Sequence, residues 1–235
     1  MSRDLRTKSK NIYSFSIILC LSIGFYSISS ADDLKNEKIK KKTVSEEQTG
    51  LAAVLKRTYG DTRTLSANFT QIQKNTVLGT QKESSGLIDI NRPDKFRWET
   101  DSGQKSLSLA DGKNVYHYTP PFRDGEKGQV IIRKAADTQS KTAVELLSGG
   151  ADLRKTFRYK AIGFDKYELL PIKNAGDINK IELFLDKKTR LVYKLRLFHA
   201  TGNETELVLK NVKLGVAIES TRFEFKIPPN TEVVK

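Results

Sequence analysis

From residue 65 onward the chain changes face at every second position, again and again. LSANFTQIQ (65–73) puts Leu65, Ala67 and Phe69 on one side, because side chains of an extended strand alternate between faces. The same period recurs in SGLIDIN (85–91), KFRWET (95–100), SLSLA (106–110), NVYHYT (114–119) and QVIIRK (129–134). It resumes in FRYKAIG (157–163), KYELLPI (166–172), KIELFLD (180–186), RLVYKLRLFHA (190–200), ETELVLKNVKL (204–214) and RFEFKI (222–227), which Pro228-Pro229 stops. Turn residues such as Asp111-Gly112 and Thr201-Gly202-Asn203 separate the runs. The pattern predicts about eleven short antiparallel strands, and so many in succession must close or nearly close to hide their edges.

Two stretches break the period. In SEEQTGLAAVLKRTYG, Ser45 and Gln48 form a capping box, Leu51, Val54, Leu55 and Tyr59 recur at helical spacing, and Gly60 ends the helix. TQSKTAVELLSGGADLRKTF (138–157) has Val144, Leu146 and Leu147 as its apolar positions, with Gly149-Gly150 as breakers. Two helices with apolar faces need apolar cover, and the mouth or concave face of a curved sheet is the simplest place. A barrel of about eleven strands is too wide to fill with its own side chains, since about eight already suffice. The expected fold is therefore mainly β with a few helices: a closed or nearly closed antiparallel sheet of about eleven strands, with two helices over its mouth or concave face, around an apolar cavity.

The cavity wall is expected to include Phe69, Phe96, Trp98, Leu107, Leu109, Leu183 and Leu195, and the covering helices to use Leu51, Val54, Leu55, Val144 and Leu147. A cavity wall and a solid core look identical in sequence. Arg92 precedes Pro93, whose ring restrains it. Its rigid fork of donors either faces solvent in a turn or meets unpaired carbonyls at a helix end, near Gly60 or near Gly149-Gly150.

The first 31 residues read as a secretory signal. Arg3, Arg6, Lys8 and Lys10 precede the apolar run SIILCLSIGFYSIS, and Ser29-Ser30-Ala31 is a small-residue cleavage site. The run is short and serine-broken for a membrane anchor. Cys20 lacks the small preceding residue of a lipoprotein signal, and no other cysteine exists, so no disulfide supports the fold. Residues 32–44 read as a mobile basic tail and 45–235 as one domain. Net charge is +13; residues 1–31 hold four basic residues and one acidic one, so the remainder keeps about +10. Along the strands bases alternate with acids, as on solvated faces, which argues against a nucleic-acid platform. His117 and His199 are the only histidines and both lie in strand patterns. With no nucleophile elbow, phosphate loop or metal-ligand spacing, no catalytic residue, cofactor or metal is expected, and the chain does not read as an enzyme.

Four segments in order resemble the periplasmic outer-membrane lipoprotein carrier family, LolA. They are Leu65-Ser-Ala-Asn-Phe69-Thr-Gln71, then Arg92-Pro93-Asp-Lys-Phe96-Arg97-Trp98-Glu99, then Asp111-Gly-Lys-Asn-Val-Tyr116-His-Tyr118-Thr-Pro120, and finally Phe223-Glu-Phe225-Lys-Ile-Pro228-Pro229. The resemblance implies a half-open antiparallel β-barrel of about eleven strands, covered by a helical lid, with a hollow for acyl chains, and a monomeric periplasmic chaperone of a Gram-negative bacterium. Its partners would be acylated lipoproteins, an inner-membrane ABC complex that releases them, and an outer-membrane acceptor. The resemblance also implies that Arg92 latches the lid and that Phe96 governs cavity behaviour and cargo transfer. The lysine-rich tail and the basic charge depart from better-known members. A carrier or sensor of another lipid on the same scaffold is the alternative.

Overall fold

Twelve strands form one sheet in the computed structural model, which describes residues 50–134, 139–149, 152–172 and 177–234. The signal-like stretch, the basic tail and the Ser45–Gln48 capping box lie outside the described residues. The strands are β1 (Thr64–Asn75), β2 (Thr80–Asn91), β3 (Lys95–Ser102), β4 (Ser106–Asp111), β5 (Asn114–Thr119) and β6 (Gly128–Lys134). Then come β7 (Phe157–Gly163), β8 (Lys166–Pro171), β9 (Ile178–Leu185), β10 (Val192–His199), β11 (Glu204–Leu214) and β12 (Thr231–Val234). Their order is β12-β6-β5-β4-β3-β2-β1-β11-β10-β9-β8-β7. The meander runs outward in both directions from the β1–β11 pair, and β7 and β12 are left as the two edges. The sheet is curled but open.

Curvature has a local cause at Gly86. A Cβ there would fall 1.9 Å from the Glu99 carbonyl oxygen, and the β2–β3 register slips between Ser85 and Gly86. Only glycine tolerates that approach, and a register slip bends its strand.

Helix α1 spans residues 50–59, α2 Gln139–Leu147 and α3 Leu153–Thr156. Leu51, Leu55 and Tyr59 of α1 and Val144, Leu146 and Leu147 of α2 are buried in one cluster with the concave wall. Burying each such side chain is worth about 1.5–3 kcal/mol, so the sheet's greasy face holds the helices down. On the convex face, Lys160–Glu168 (3.1 Å), Lys166–Glu182 (3.1 Å) and Arg196–Glu206 (3.0 Å) pair across strands β7 to β11, which keeps that face wet.

Two expectations need correcting. RFEFKI is not a strand: Ser220–Phe223 is a 3-10 turn, and the residues after it are irregular up to β12. Arg222 bonds the buried Asp89 carboxylate at 2.7 Å, and Phe225 stacks on Tyr116 with ring centroids 4.9 Å apart. Tertiary partners on the convex face therefore win over the period-2 pattern. The segment after β11 wraps that face and returns as β12, parallel to β6.

The second correction concerns Leu107 and Leu109. Trp98 stands opposite Ser108 and Phe96 opposite Ala110, while Leu107 and Leu109 stand opposite Glu99 and Arg97. The two leucines therefore lie on the convex face, not in the cavity wall. Leu109 is buried there as Val130 and Phe223 are, outside the main core cluster. The wrap gives this face its own apolar cover, so both faces of β4 carry buried residues.

Candidate functional site

The concave wall is built by register. Phe69 pairs with Leu209, Leu195 with both Leu207 and Leu183, and Phe96 with Ile90. These side chains share one face and all are buried. Trp98 lies on the same face with its ring 5.1 Å from Phe69. Of the expected wall residues, the structure thus brings Phe69, Phe96, Trp98, Leu183 and Leu195 together and removes Leu107 and Leu109.

The expected lid residues also converge. Leu51, Leu55, Val144 and Leu147 are buried against the wall, and Val54 packs on the same cluster half-buried. Leu51, Leu146 and Leu147 are 0% exposed, so the helices fill most of the space the sheet encloses. Among the described residues, the hollow between α2 and the wall holds about 270 Å³, bounded by Trp98, Ala143, Leu197 and Leu207 among others. That falls below the roughly 300–1,000 Å³ of a small-molecule site. An acyl-bearing ligand needs the helices to move.

Arg92 sits where α1 ends. Its Nη2 donates to the Gly60 carbonyl at 3.3 Å and to the Thr62 carbonyl, and its backbone N–H donates to Arg63 at 2.8 Å. Helix C-termini leave carbonyls unpaired and carry partial negative charge, so a cation is favoured there. The Arg92–Pro93 peptide is cis. A cleft of about 430 Å³ separates Arg92 and Asp61 from Val144 and Ser148 of the α2 end.

Sequence reasoning missed a second fastening. The Tyr59 hydroxyl accepts from the Val192 N–H at 2.9 Å, which ties α1 to β10. Burial pushes that hydroxyl up to about 12. Gly149, with φ +65°, lies against the same ring; a Cβ there would fall 2.4 Å from Tyr59 Cδ2. One aromatic ring thus links α1, the end of α2 and the sheet. Tyr59 was legible only as one more apolar helical position.

The two histidines are satisfied locally. His117 Nδ1 lies 2.7 Å from Ser108 Oγ, and burial, then the Arg133 charge, lowers its pKa. His199 contacts Asp177 at 3.1 Å and Thr205 at 3.0 Å.

The model of the family described as outer membrane lipoprotein carrier protein LolA matches residues 60–226. The chain belongs to the LolA family. A LolA-family relative from Azotobacter vinelandii, an outer-membrane lipoprotein carrier protein, is 30% identical over 179 residues, 74% of this chain and 82% of the relative. The protein of the same name from Chromobacterium violaceum is 27% identical over 191 residues, 80% of this chain and 88% of its own. A solved LolA superfamily structure from Nitrosomonas europaea is 9% identical, covers 75% of this chain and 97% of that one, and has a TM-score of 0.42. The span matched to LolA begins at the end of α1 and takes in Arg92, the concave wall and the wrap as far as Lys226.

Proposed function

We propose that the protein is a periplasmic chaperone that takes up the acyl chains of lipoproteins and carries them toward the outer membrane. One observation carries this reading: a continuous apolar concave wall is covered by helices whose leucines could be exchanged for acyl chains. Family membership supports it. Residues 1–31 would serve as the cleaved export signal, 32–44 as a basic tail and 45–235 as the carrier domain. An inner-membrane ABC complex would load the cargo and an outer-membrane acceptor would receive it from a monomeric carrier.

The energetics fit a carrier. Each acyl methylene withdrawn from water is worth about 0.8 kcal/mol, so water cannot compete for a multi-acyl anchor. A membrane or a second carrier can, being as apolar. The lid leucines act as an intramolecular competitor for the same wall. The charge-assisted bonds of Arg92 to the end of α1, each worth roughly 1.5–3 kcal/mol, bias the helices toward the covered state. These are small terms beside the acyl chains, and small terms decide direction when the large ones cancel.

Native mass spectrometry of protein drawn from its own periplasm tests the reading. Stoichiometric adducts with acylated proteins, with no turnover of the acyl linkage, are expected. A population loaded only with another lipid would overturn it.

A further inference from the structure

Above the apolar wall the concave face turns polar without acquiring a lysine, arginine or carboxylate. On β1 the inward series runs Leu65, Ala67, Phe69 and then Gln71. Across the sheet Thr100 faces Ser106, and Trp98 faces Ser108. With Thr205 these groups ring the hollow of about 270 Å³ between α2 and the wall. Among the described residues, the side chains of Gln71, Thr100 and Ser106 and the indole N–H of Trp98 make no hydrogen bond. All four residues are half-buried rather than freely solvated. No Lys or Arg bounds this hollow. His199, whose ring lies 3.1 Å from Asp177 and 3.0 Å from Thr205, bounds one side of it, and Lys74, Lys82 and Glu204 appear only in the adjoining hollow.

We propose that this ring is a neutral hydrogen-bonding collar that reads the ester and amide carbonyls joining acyl chains to a lipidated peptide. The proposal rests on the carrier reading and names the part of the cargo that is recognised. The acyl linkage is the only polar part of such a ligand that must sit next to its greasy chains. Its carbonyls need donors, and Gln71, Trp98, Thr100 and Ser106 supply them. The register places Gln71 directly opposite Leu207, one step from Phe69 and its partner Leu209. A chain lying on the wall therefore ends where the donors begin. A phosphate would call for Arg or Lys at this point, and the collar has neither.

The test uses the full processed protein with two synthetic diacyl lipopeptides of equal chain length and without an N-acyl group, one ester-linked and one ether-linked. The ester form is expected to bind about tenfold more tightly, as one or two recovered hydrogen bonds predict. Gln71→Leu with Thr100→Val should bring the ester form down to the ether level and leave ether binding unchanged. The ether arm shows that the variant still folds and still accepts chains. Equal binding of both ligands by the unaltered protein, or equal loss of both in the variant, overturns the collar while the carrier reading stands. Failure to bind either ligand overturns the carrier reading and the collar with it. A phosphatidylglycerol of matched chains presents the same ester carbonyls but sets a phosphate beside a hollow with no Lys or Arg, so it is expected to displace the ester lipopeptide only at about tenfold higher concentration; displacement at equal concentration would overturn the assignment to lipidated peptides.

Discussion

The hydroxyl of Tyr59 accepts a 2.9 Å hydrogen bond from the backbone N–H of Val192, 133 residues further along the chain. One end of that bond is the last turn of α1 and the other is the start of β10. Burial encloses it, so neither group can turn to water instead. Tyr59→Phe keeps the ring and orphans the Val192 donor. A loss of about 1–3 kcal/mol is expected, read as a lower urea midpoint with an unchanged slope.

The same hydroxyl titrates. Its pKa rises from 10.0 to about 12 in the folded protein because burial disfavours the anion. A raised folded value means the stabilisation is complete below pH 10 and is lost as pH rises through 12. A shift of this size corresponds to about 2–3 kcal/mol. Melting curves between pH 9 and 12 should show wild type losing stability faster than Tyr59→Phe; parallel losses would contradict the assignment.

Arg92→Leu removes the side-chain donors from the Gly60 and Thr62 carbonyls. The covered state weakens, and a ligand that needs the uncovered state then binds more tightly, because its apparent affinity scales with the competent fraction. Apparent affinity for a fluorescent lipopeptide should rise about tenfold for each 1.4 kcal/mol lost, and release to acceptor vesicles should slow. Unchanged release would remove Arg92 from the latch role.

Gly149→Ala acts on the other helix. The new Cβ meets the Tyr59 ring, and the φ of +65° is unfavourable for alanine. A cost of about 1–3 kcal/mol is expected. Limited proteolysis should show α2 cut before the sheet; uniform protection would argue that the contact relaxes freely.

Leu109→Ala and Phe96→Ala separate the two faces of the sheet. Both empty a buried site and should cost about 2–5 kcal/mol. Only Phe96 lies on the concave wall, so only Phe96→Ala should change lipopeptide affinity. An equal change from Leu109→Ala would return that residue to the binding surface.

Much of this molecule was legible in local pattern. The alternation from Leu65 to Phe69, the helical spacing of Leu51, Leu55 and Tyr59, and the break at Gly60 follow from backbone geometry and the cost of burying polar groups. The rigid fork of Arg92 and the unpaired carbonyls at a helix end were both readable, and they do meet.

The choice of face on β4, and the fate of residues 222–227, were decided by the tertiary structure alone. Alternation says that two faces differ; it does not say which is covered, and SLSLA offers apolar leucines on one side and serines on the other. The wrap that buries Leu109 and Phe223 depends on Arg222 reaching Asp89 across 133 positions. The Tyr59–Val192 bond spans the same separation. Short-range periodicity follows from the chain's own stereochemistry, whereas contacts over such distances exist only once the whole sheet has curled and brought their partners together.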